Sequence, residues 1–305
     1  MDIMQFGSID TPLSRLIYGC MRLNGDNSSD AIKQGQKAIQ AAIDCGYTHF
    51  DHADIYGGGA CEKIFGDYIS ASNIERESLF ITSKAGIRGA DTPNKGDPTR
   101  YDFSKNYLIE KVEQSLSSLK TDYLDMFLLH RPDYLMDIHE VAEAFALLKA
   151  SGKVKYFGVS NFSVSQVSLL QSALAMPLHT NQIEINIHNI SAFSDGVLDQ
   201  CQQAKMSPVA WCPLGGVVYP AWGNTFSTED EVRISAELSV QSSKYEVEPW
   251  VVALAWLLKH PSNIFPIIGS TNPERIAMAK KALSLDYTRE DWYQLLEARN
   301  GQSVP

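Results

Sequence analysis

The sequence lacks the long apolar run that a membrane-spanning helix needs. Its longest apolar stretch, residues 250–258, is roughly half the length required to cross a bilayer. The first ten residues, MDIMQFGSID, show neither the basic start nor the apolar centre of a secretory signal peptide. We therefore expect a cytoplasmic protein without a membrane partner.

Cysteine pairs and clustered positive charge are also scarce. The five cysteines are odd in number and show no C-x-x-C spacing, and the histidines share no spacing typical of a metal site. We expect free thiols and no bound metal. The formal net charge is −10, with no basic patch, and such a protein repels phosphate backbones. Nucleic acid is therefore not an expected partner.

Boundaries within the chain are missing as well. We find no internal repeat, low-complexity tract or linker in the 305 residues. Hydrophobic residues make up 44% of the chain, which is enough for a large buried core. The sequence predicts a single domain over residues 1–305.

What the chain does contain is a regular alternation of short apolar runs with amphipathic helical segments. The alternation predicts an α/β protein with a parallel sheet, and the number of units predicts a (β/α)₈ TIM barrel. The predicted strands cover residues 16–19, 48–52, 79–84, 123–130, 156–160, 181–185, 208–212 and 265–268.

Helix ends can also be predicted. Ser29, Ser104 and Ser163 precede helical segments as expected N-caps, and Gly46 and Gly152 follow helix ends, where a left-handed residue is favoured. Residues 288–300 predict an extra C-terminal helix opened by Thr288. Residues 86–103 are polar and rich in Gly and Pro, and predict a long loop at the active site.

Four polar side chains fall at or just beyond predicted strand ends. Asp51 lies at the end of the second strand and Tyr56 just beyond it, Lys84 ends the third, and His130 ends the fourth. Barrel active sites form at these carboxyl ends. A structural ion pair is the alternative for Asp51 and Lys84. Reduction of a carbonyl by hydride creates an alkoxide that needs a proton. We expect Tyr56 to donate it, with Lys84 stabilising the phenolate, Asp51 keeping Lys84 charged, and His130 orienting the carbonyl.

These residues and their surroundings resemble the aldo-keto reductase family over nearly the whole chain. The Asp, Tyr, Lys and His of the family tetrad match Asp51, Tyr56, Lys84 and His130, with the same five-residue step from Asp to Tyr. The motifs GYTHFD at 46–51, LLH at 128–130 and GKVKYFGVSNF at 152–162 agree in order. The HADIYG motif at 52–57 is similar to a bacterial branch. The resemblance implies reduction of an aldehyde or ketone with NAD(P)H.

The resemblance also implies a cofactor site. Ser160, Asn161 and Gln182 would hold the nicotinamide carboxamide, Trp211 would stack on the ring, Pro213, Leu214 and Gly215 would approach the pyrophosphate, and Ser270 and Arg275 would bind the 2′-phosphate. A core aromatic is the alternative for Trp211. Gly269 stands where many members have Lys, so NADPH is favoured and NADH stays open. No G-x-G-x-x-G dinucleotide fingerprint is present.

Other functions and the substrate remain open. A cofactor-sensing binding subunit with slow turnover is one alternative, and a lyase that forms a Schiff base on Lys84 is another. Ile55, Tyr219 and Trp222 are expected to line the substrate pocket, together with loops at 86–103, 131–137 and 217–227. These loops do not identify the carbonyl compound. The oligomeric state is also open, and a monomer fits this architecture.

Overall fold

Eight parallel strands form a closed barrel. A computed structural model describes residues 1–215 and 228–305. Each strand pairs with the next along the chain, and the last pairs with the first. The predicted (β/α)₈ barrel is thus confirmed, and every predicted strand overlaps an observed one. The strands are β1 (Ile17–Gly19), β2 (His49–Asp51), β3 (Phe80–Ala85), β4 (Leu124–Leu129), β5 (Val154–Ser160), β6 (Leu178–Glu184), β7 (Ser207–Trp211) and β8 (Phe265–Ile268).

Helices pack around the barrel. The buried residues of the first helix, Gly35, Ala38, Ile39 and Ala42, recur at three- and four-residue steps, which places one apolar face on the strands. No helix in the described ranges is long and apolar enough to cross a membrane. The helices are α1 (Ser29–Asp44), α2 (Ala60–Ser70), α3 (Lys105–Leu119), α4 (Ile138–Ala150), α5 (Val164–Ala173), α6 (Val197–Gln203), α7 (Thr228–Tyr245), α8 (Pro249–Leu258), α9 (Pro273–Met278) and α10 (Arg289–Asn300).

The extra C-terminal helix, α10, is present as predicted. Its N-cap is Thr288, whose side chain accepts a hydrogen bond from the backbone N–H of Asp291. Trp292 of α10 stacks on Trp256 of α8 with ring centres 5.0 Å apart. Each indole N–H donates to the backbone carbonyl of the other tryptophan, at 3.0 and 3.1 Å. These contacts attach α10 to the helical layer.

Most predicted helix ends agree with the structure, and one is wrong. Ser163 forms a capping box with Gln166, and Gly46 and Gly152 adopt positive φ of 83° and 73°. The first helix begins at Ser29, so its N-cap is Ser28, whose hydroxyl accepts from the N–H of Ala31. Two consecutive serines made the choice ambiguous by sequence. Ser104 is the N-cap of α3, but its side chain makes no capping hydrogen bond.

An N-terminal hairpin lies at the amino-terminal end of the barrel. Ile3–Met4 pairs antiparallel with Leu13–Ser14. Phe6, between them, is fully buried and packs on Phe265 at 4.9 Å and on His49 at 5.3 Å between ring centres. The carboxyl ends of the strands lie at the opposite end.

The segment at residues 86–103 is more regular than a plain loop. Ile87–Arg88 pairs antiparallel with Arg100–Tyr101. At the end of the segment, the backbone N–H of Phe103 donates to the Asp133 carboxylate at 3.1 Å. The segment is therefore a short β-arm fixed to the loop after β4.

Candidate active site

The four predicted tetrad residues lie together at the carboxyl end of the barrel. Asp51 ends β2, Lys84 lies in β3 and His130 follows β4, while Tyr56 begins a 3₁₀ turn, Tyr56–Gly59. The turn requires glycine: Gly57 has φ of 58°, and a side chain there would meet the Asn24 side chain at 2.5 Å. Local backbone geometry thus brings Tyr56 back over the strand ends.

Lys84 and Asp51 form a buried ion pair. The Lys84 ammonium donates to the two Asp51 carboxylate oxygens at 2.9 and 2.8 Å and to the His52 carbonyl at 2.6 Å. Lys84 is only 1% exposed. Burial, the largest single effect, opposes its charged form, but the charges and hydrogen bonds of Asp51 and Tyr56 together outweigh it and raise the pKa of Lys84. The site therefore contains a fixed, charged ammonium.

Tyr56 lies against both Lys84 and His130. The Lys84 nitrogen is 4.9 Å from the centre of the Tyr56 ring, and the rings of Tyr56 and His130 are 6.0 Å apart in an edge-to-face arrangement. Burial raises the pKa of Tyr56, and the positive charge of Lys84 only partly opposes it. The pKa of Tyr56 is therefore raised overall, whereas Lys84 alone would lower it.

His130 is a neutral imidazole. Burial lowers its pKa well below the usual range, with the charges of Lys84 and Arg131 acting in the same direction. Its Nδ1 is buried and has no hydrogen-bond partner among the described residues. A neutral imidazole carries one N–H, so His130 can donate a hydrogen bond to a substrate oxygen.

The residues expected at the nicotinamide carboxamide form a connected set. The Asn161 side-chain amide donates to the Ser160 hydroxyl at 2.7 Å, and Ser160 donates to the Gln182 carbonyl at 2.8 Å. The Gln182 amide nitrogen donates to Asp51 at 2.9 Å. Asp51 and Lys84 of the tetrad therefore share one hydrogen-bonded network with this set.

Trp211 is half-buried at the mouth, outside the hydrophobic core clusters. Its indole N–H donates to the Asn161 side-chain carbonyl at 2.9 Å. Arg131, which sequence reasoning did not single out as a site residue, places its guanidinium carbon 5.0 Å from the Trp211 ring centre. A single sequence gives no signal for a contact between residues as far apart along the chain as Arg131 and Trp211.

The loop after β7 is held by Asn186, another residue that the sequence analysis missed. The Asn186 amide donates to the Cys212 carbonyl at 3.1 Å, and Gly215 has φ of 44°. A side chain on Gly215 would lie 2.1 Å from Asn186. Pro213, Leu214 and Gly215 thus form a tight turn close to Trp211 along the chain.

The segment at residues 269–271 is tied to β1 and α1. Arg22 donates to the Gly269 carbonyl at 2.9 Å, Tyr18 to the Ser270 carbonyl at 3.1 Å, and Gln34 to the Thr271 carbonyl at 2.6 Å. A side chain built on Gly269 would lie 3.3 Å from the Arg22 guanidinium. Arg22 thus brings positive charge to a position where the chain has no side chain of its own.

The exposed rim includes one expected pocket residue. Ile55 precedes Tyr56 and is 39% exposed. Tyr219, Trp222 and the loop at 217–227 lie outside the described residues. Arg275 lies in α9, beyond the Asn272 N-cap.

Comparison with known proteins identifies the family. The aldo/keto reductase family model matches residues 15–300. Uncharacterized oxidoreductase YcsN of Bacillus subtilis is 43% identical over 300 residues, with 97% of each chain covered. A 6-dehydroglucose reductase of Agrobacterium fabrum is 39% identical over 295 residues, with 96% of each covered. An aldo/keto reductase structure from Klebsiella pneumoniae, in complex with NADP and acetate, has a TM-score of 0.78 at 24% identity and covers 96% of this chain and 93% of that one. The chain therefore belongs to the aldo/keto reductase family and is an oxidoreductase.

Proposed function

We propose that this chain uses NADPH to reduce an aldehyde or ketone to an alcohol, with Tyr56 as the proton donor. The carrying observation is the buried Lys84 ammonium, paired with Asp51 at 2.8 Å and 4.9 Å from the Tyr56 ring centre. A buried ammonium fixed at this position stabilises the phenolate that Tyr56 becomes when it gives up its proton. We also propose that residues 1–305 act as one domain.

The proton follows a short route. As negative charge develops on the carbonyl oxygen, the Tyr56 hydroxyl donates its proton to that oxygen. Lys84 stabilises the phenolate that remains, and Asp51 keeps Lys84 charged and oriented. Neutral His130 donates an N–H to the same oxygen and so orients the carbonyl. Because burial raises its pKa, Tyr56 stays protonated until the oxyanion forms.

The cofactor, when bound, supplies the hydride. The amides of Asn161 and Gln182 offer donors and acceptors for a carboxamide, and the half-buried Trp211 ring offers a planar face for stacking. Both amides belong to the network that contains Asp51, so this chain can orient a nicotinamide relative to the proton donor. The NADP bound to the Klebsiella pneumoniae relative supports the same cofactor class.

The phosphate end of the cofactor has a matching charge. Ser270 and Arg275 are the residues expected to contact a 2′-phosphate, and Arg22 adds a guanidinium anchored 2.9 Å from the Gly269 carbonyl. We propose that Arg22 supplies the charge that Gly269 does not, so that NADPH is preferred to NADH. Guanidinium groups form strong charge-assisted hydrogen bonds with phosphate oxygens.

Lys84 also bears on the lyase alternative. Schiff-base formation needs a neutral amine, whereas the Lys84 nitrogen donates three hydrogen bonds and has a raised pKa. This favours the reductase, and borohydride trapping on Lys84 in the presence of a carbonyl compound would contradict it. A cofactor-sensing role would instead give NADPH binding with very slow turnover.

The test is Tyr56→Phe, with Tyr293→Phe on α10 as control. NADPH oxidation with an aromatic aldehyde should fall by about 10²–10⁴-fold in the first variant, because general acid catalysis is lost. Cofactor affinity, followed by quenching of tryptophan fluorescence, should not change. Unchanged turnover in Tyr56→Phe would remove Tyr56 from the proton-donor role.

A further inference from the structure

One cation at the mouth of the barrel, Arg131, has no hydrogen-bond acceptor within residues 1–215 and 228–305. Arg131 directly follows His130 and is half-buried. Its contact is the face of the Trp211 ring, at 5.0 Å, and among the described residues it forms no hydrogen bond or ion pair. A partly desolvated guanidinium without an acceptor gains more than an exposed one from binding an oxygen atom.

Arg131 differs from the other half-buried arginines of the described chain in having no oxygen acceptor there. Each of the others donates to an oxygen of the protein. The pairs are Arg76 with Asp125, Arg88 with Asp102, Arg100 with Asp97, Arg233 with Asp230, and Arg299 with the His188 carbonyl.

The acid nearest to Arg131 in sequence is occupied elsewhere. Asp133 accepts the backbone N–H of Phe103 at 3.1 Å through one oxygen and that of Leu135 at 2.9 Å through the other. Asp133 therefore shapes the loop and does not pair with the guanidinium. No acid in the part of the chain that the structure describes accepts a hydrogen bond from Arg131, which leaves its donors available to a bound molecule.

Arg131 lies next to the group that would orient the carbonyl. The Asn161 amide donates to the His130 carbonyl at 3.4 Å and accepts from Trp211 at 2.9 Å, which holds the backbone before Arg131 beside Trp211. The guanidinium also lies close enough to His130 to contribute to the lowered pKa of that imidazole. On turning from the indole to a substrate, Arg131 gives up its contact with the Trp211 ring and no ion pair with any described residue.

We propose that Arg131 determines substrate specificity by binding an oxygen-bearing substituent of the carbonyl compound, either a carboxylate or neighbouring hydroxyl groups. Both present acceptor oxygens to the planar guanidinium fork. The substrate class is then oxo acids or hydroxyaldehydes, and simple aliphatic aldehydes are poor substrates. This inference rests on the proposed reductase function.

The test compares kcat/KM for two pairs of aldehydes matched in carbon number: propanal with glyceraldehyde, and butanal with succinic semialdehyde. Arg131→Gln should lower kcat/KM for the oxygenated member by roughly tenfold or more, because a charge-assisted hydrogen bond is lost. Values for propanal and butanal should stay within about twofold of wild type. Arg131→Lys should keep part of the activity toward succinic semialdehyde, and Arg289→Gln is the control.

The outcomes separate the two proposals. A loss confined to succinic semialdehyde assigns the carboxylate, and one confined to glyceraldehyde assigns the hydroxyls. Equal losses for all four aldehydes, or a changed NADPH affinity that accounts for the loss, would mean that Arg131 acts through Trp211, and would overturn the inference while leaving the reductase function intact. If the wild-type protein reduces an aromatic aldehyde but neither glyceraldehyde nor succinic semialdehyde, this inference fails and the reductase function stands. If it binds NADPH but reduces neither the aromatic aldehyde nor any of the four, the reductase proposal fails and this inference fails with it.

Discussion

The proposed role of Arg22 in cofactor selection can be tested by moving its charge. Arg22→Ala removes the guanidinium that donates to the Gly269 carbonyl at 2.9 Å. Arg22 is exposed, so we take the lower end of the range for a charge-assisted hydrogen bond, about 1.5 kcal/mol. NADPH affinity should fall roughly tenfold, and NADH affinity should not change because NADH lacks the 2′-phosphate.

A second variant restores the charge from the other side of the contact. The φ angle of Gly269 is not positive, so its backbone conformation is compatible with a side chain. In the wild type that side chain would lie 3.3 Å from the Arg22 guanidinium, and Arg22→Ala removes this obstacle. The double variant Arg22→Ala/Gly269→Lys should therefore recover much of the NADPH affinity.

The assay is a tryptophan-fluorescence titration with each cofactor at low and high salt, with Arg289→Ala as a surface control. The NADPH advantage should shrink with salt in the wild type, since the charge is exposed. An unchanged ratio of NADPH to NADH affinity in Arg22→Ala would refute the reasoning. Failure of Gly269→Lys to restore that ratio in the double variant, with the fold intact by circular dichroism, would place the phosphate elsewhere.

Two further predictions concern the surroundings of the site. Gly215→Ala should weaken NADPH binding and lower the Tm, because the added carbon would lie 2.1 Å from Asn186; unchanged values would show that the loop after β7 yields easily. Asp54 has no hydrogen-bond partner for either oxygen among the described residues, and burial raises its pKa from 3.8 to about 7 although Lys111 lies 3.7 Å away. The folded state then keeps a proton that the unfolded chain releases, so stability should fall as pH rises from about 4 through about 7, by up to about 1.4 kcal/mol per pH unit. Urea unfolding of Asp54→Asn at about pH 5 and about pH 8 should show a smaller difference than wild type, and equal differences would contradict the shift.

Much of the barrel could be predicted from the sequence because most strands are short runs buried on both faces, as in Phe80–Ala85, and most helices bury residues at three- and four-residue steps, as in α1. Residues 265–268 were predicted and observed with the same bounds. The N-terminal hairpin was not predicted, because its strands have two residues each, too few to show an alternation of apolar and polar side chains. The β-arm within 86–103 was missed for the same reason.

The site divides in a similar way. Asp51, Lys84 and His130 were placed at one mouth because strand ends of a parallel barrel meet there. Arg22 with Gly269, Asn186 with Gly215, and Arg131 with Trp211 join segments far apart along the chain. No local pattern encodes such pairs, and they become apparent only once the barrel closes.

The direction of the Tyr56 pKa illustrates why geometry was needed as well as residue type. From the sequence, a lysine beside a phenol suggests a lowered pKa, and Lys84 does act in that direction. Burial has the larger effect, and Asp51, which neutralises much of the Lys84 charge at 2.8 Å, also raises the pKa. A tyrosine in this setting holds its proton in the resting site. In the proposed mechanism it becomes an effective acid when an oxyanion forms beside it, and the ion pair contributes mainly by stabilising the phenolate as the proton leaves.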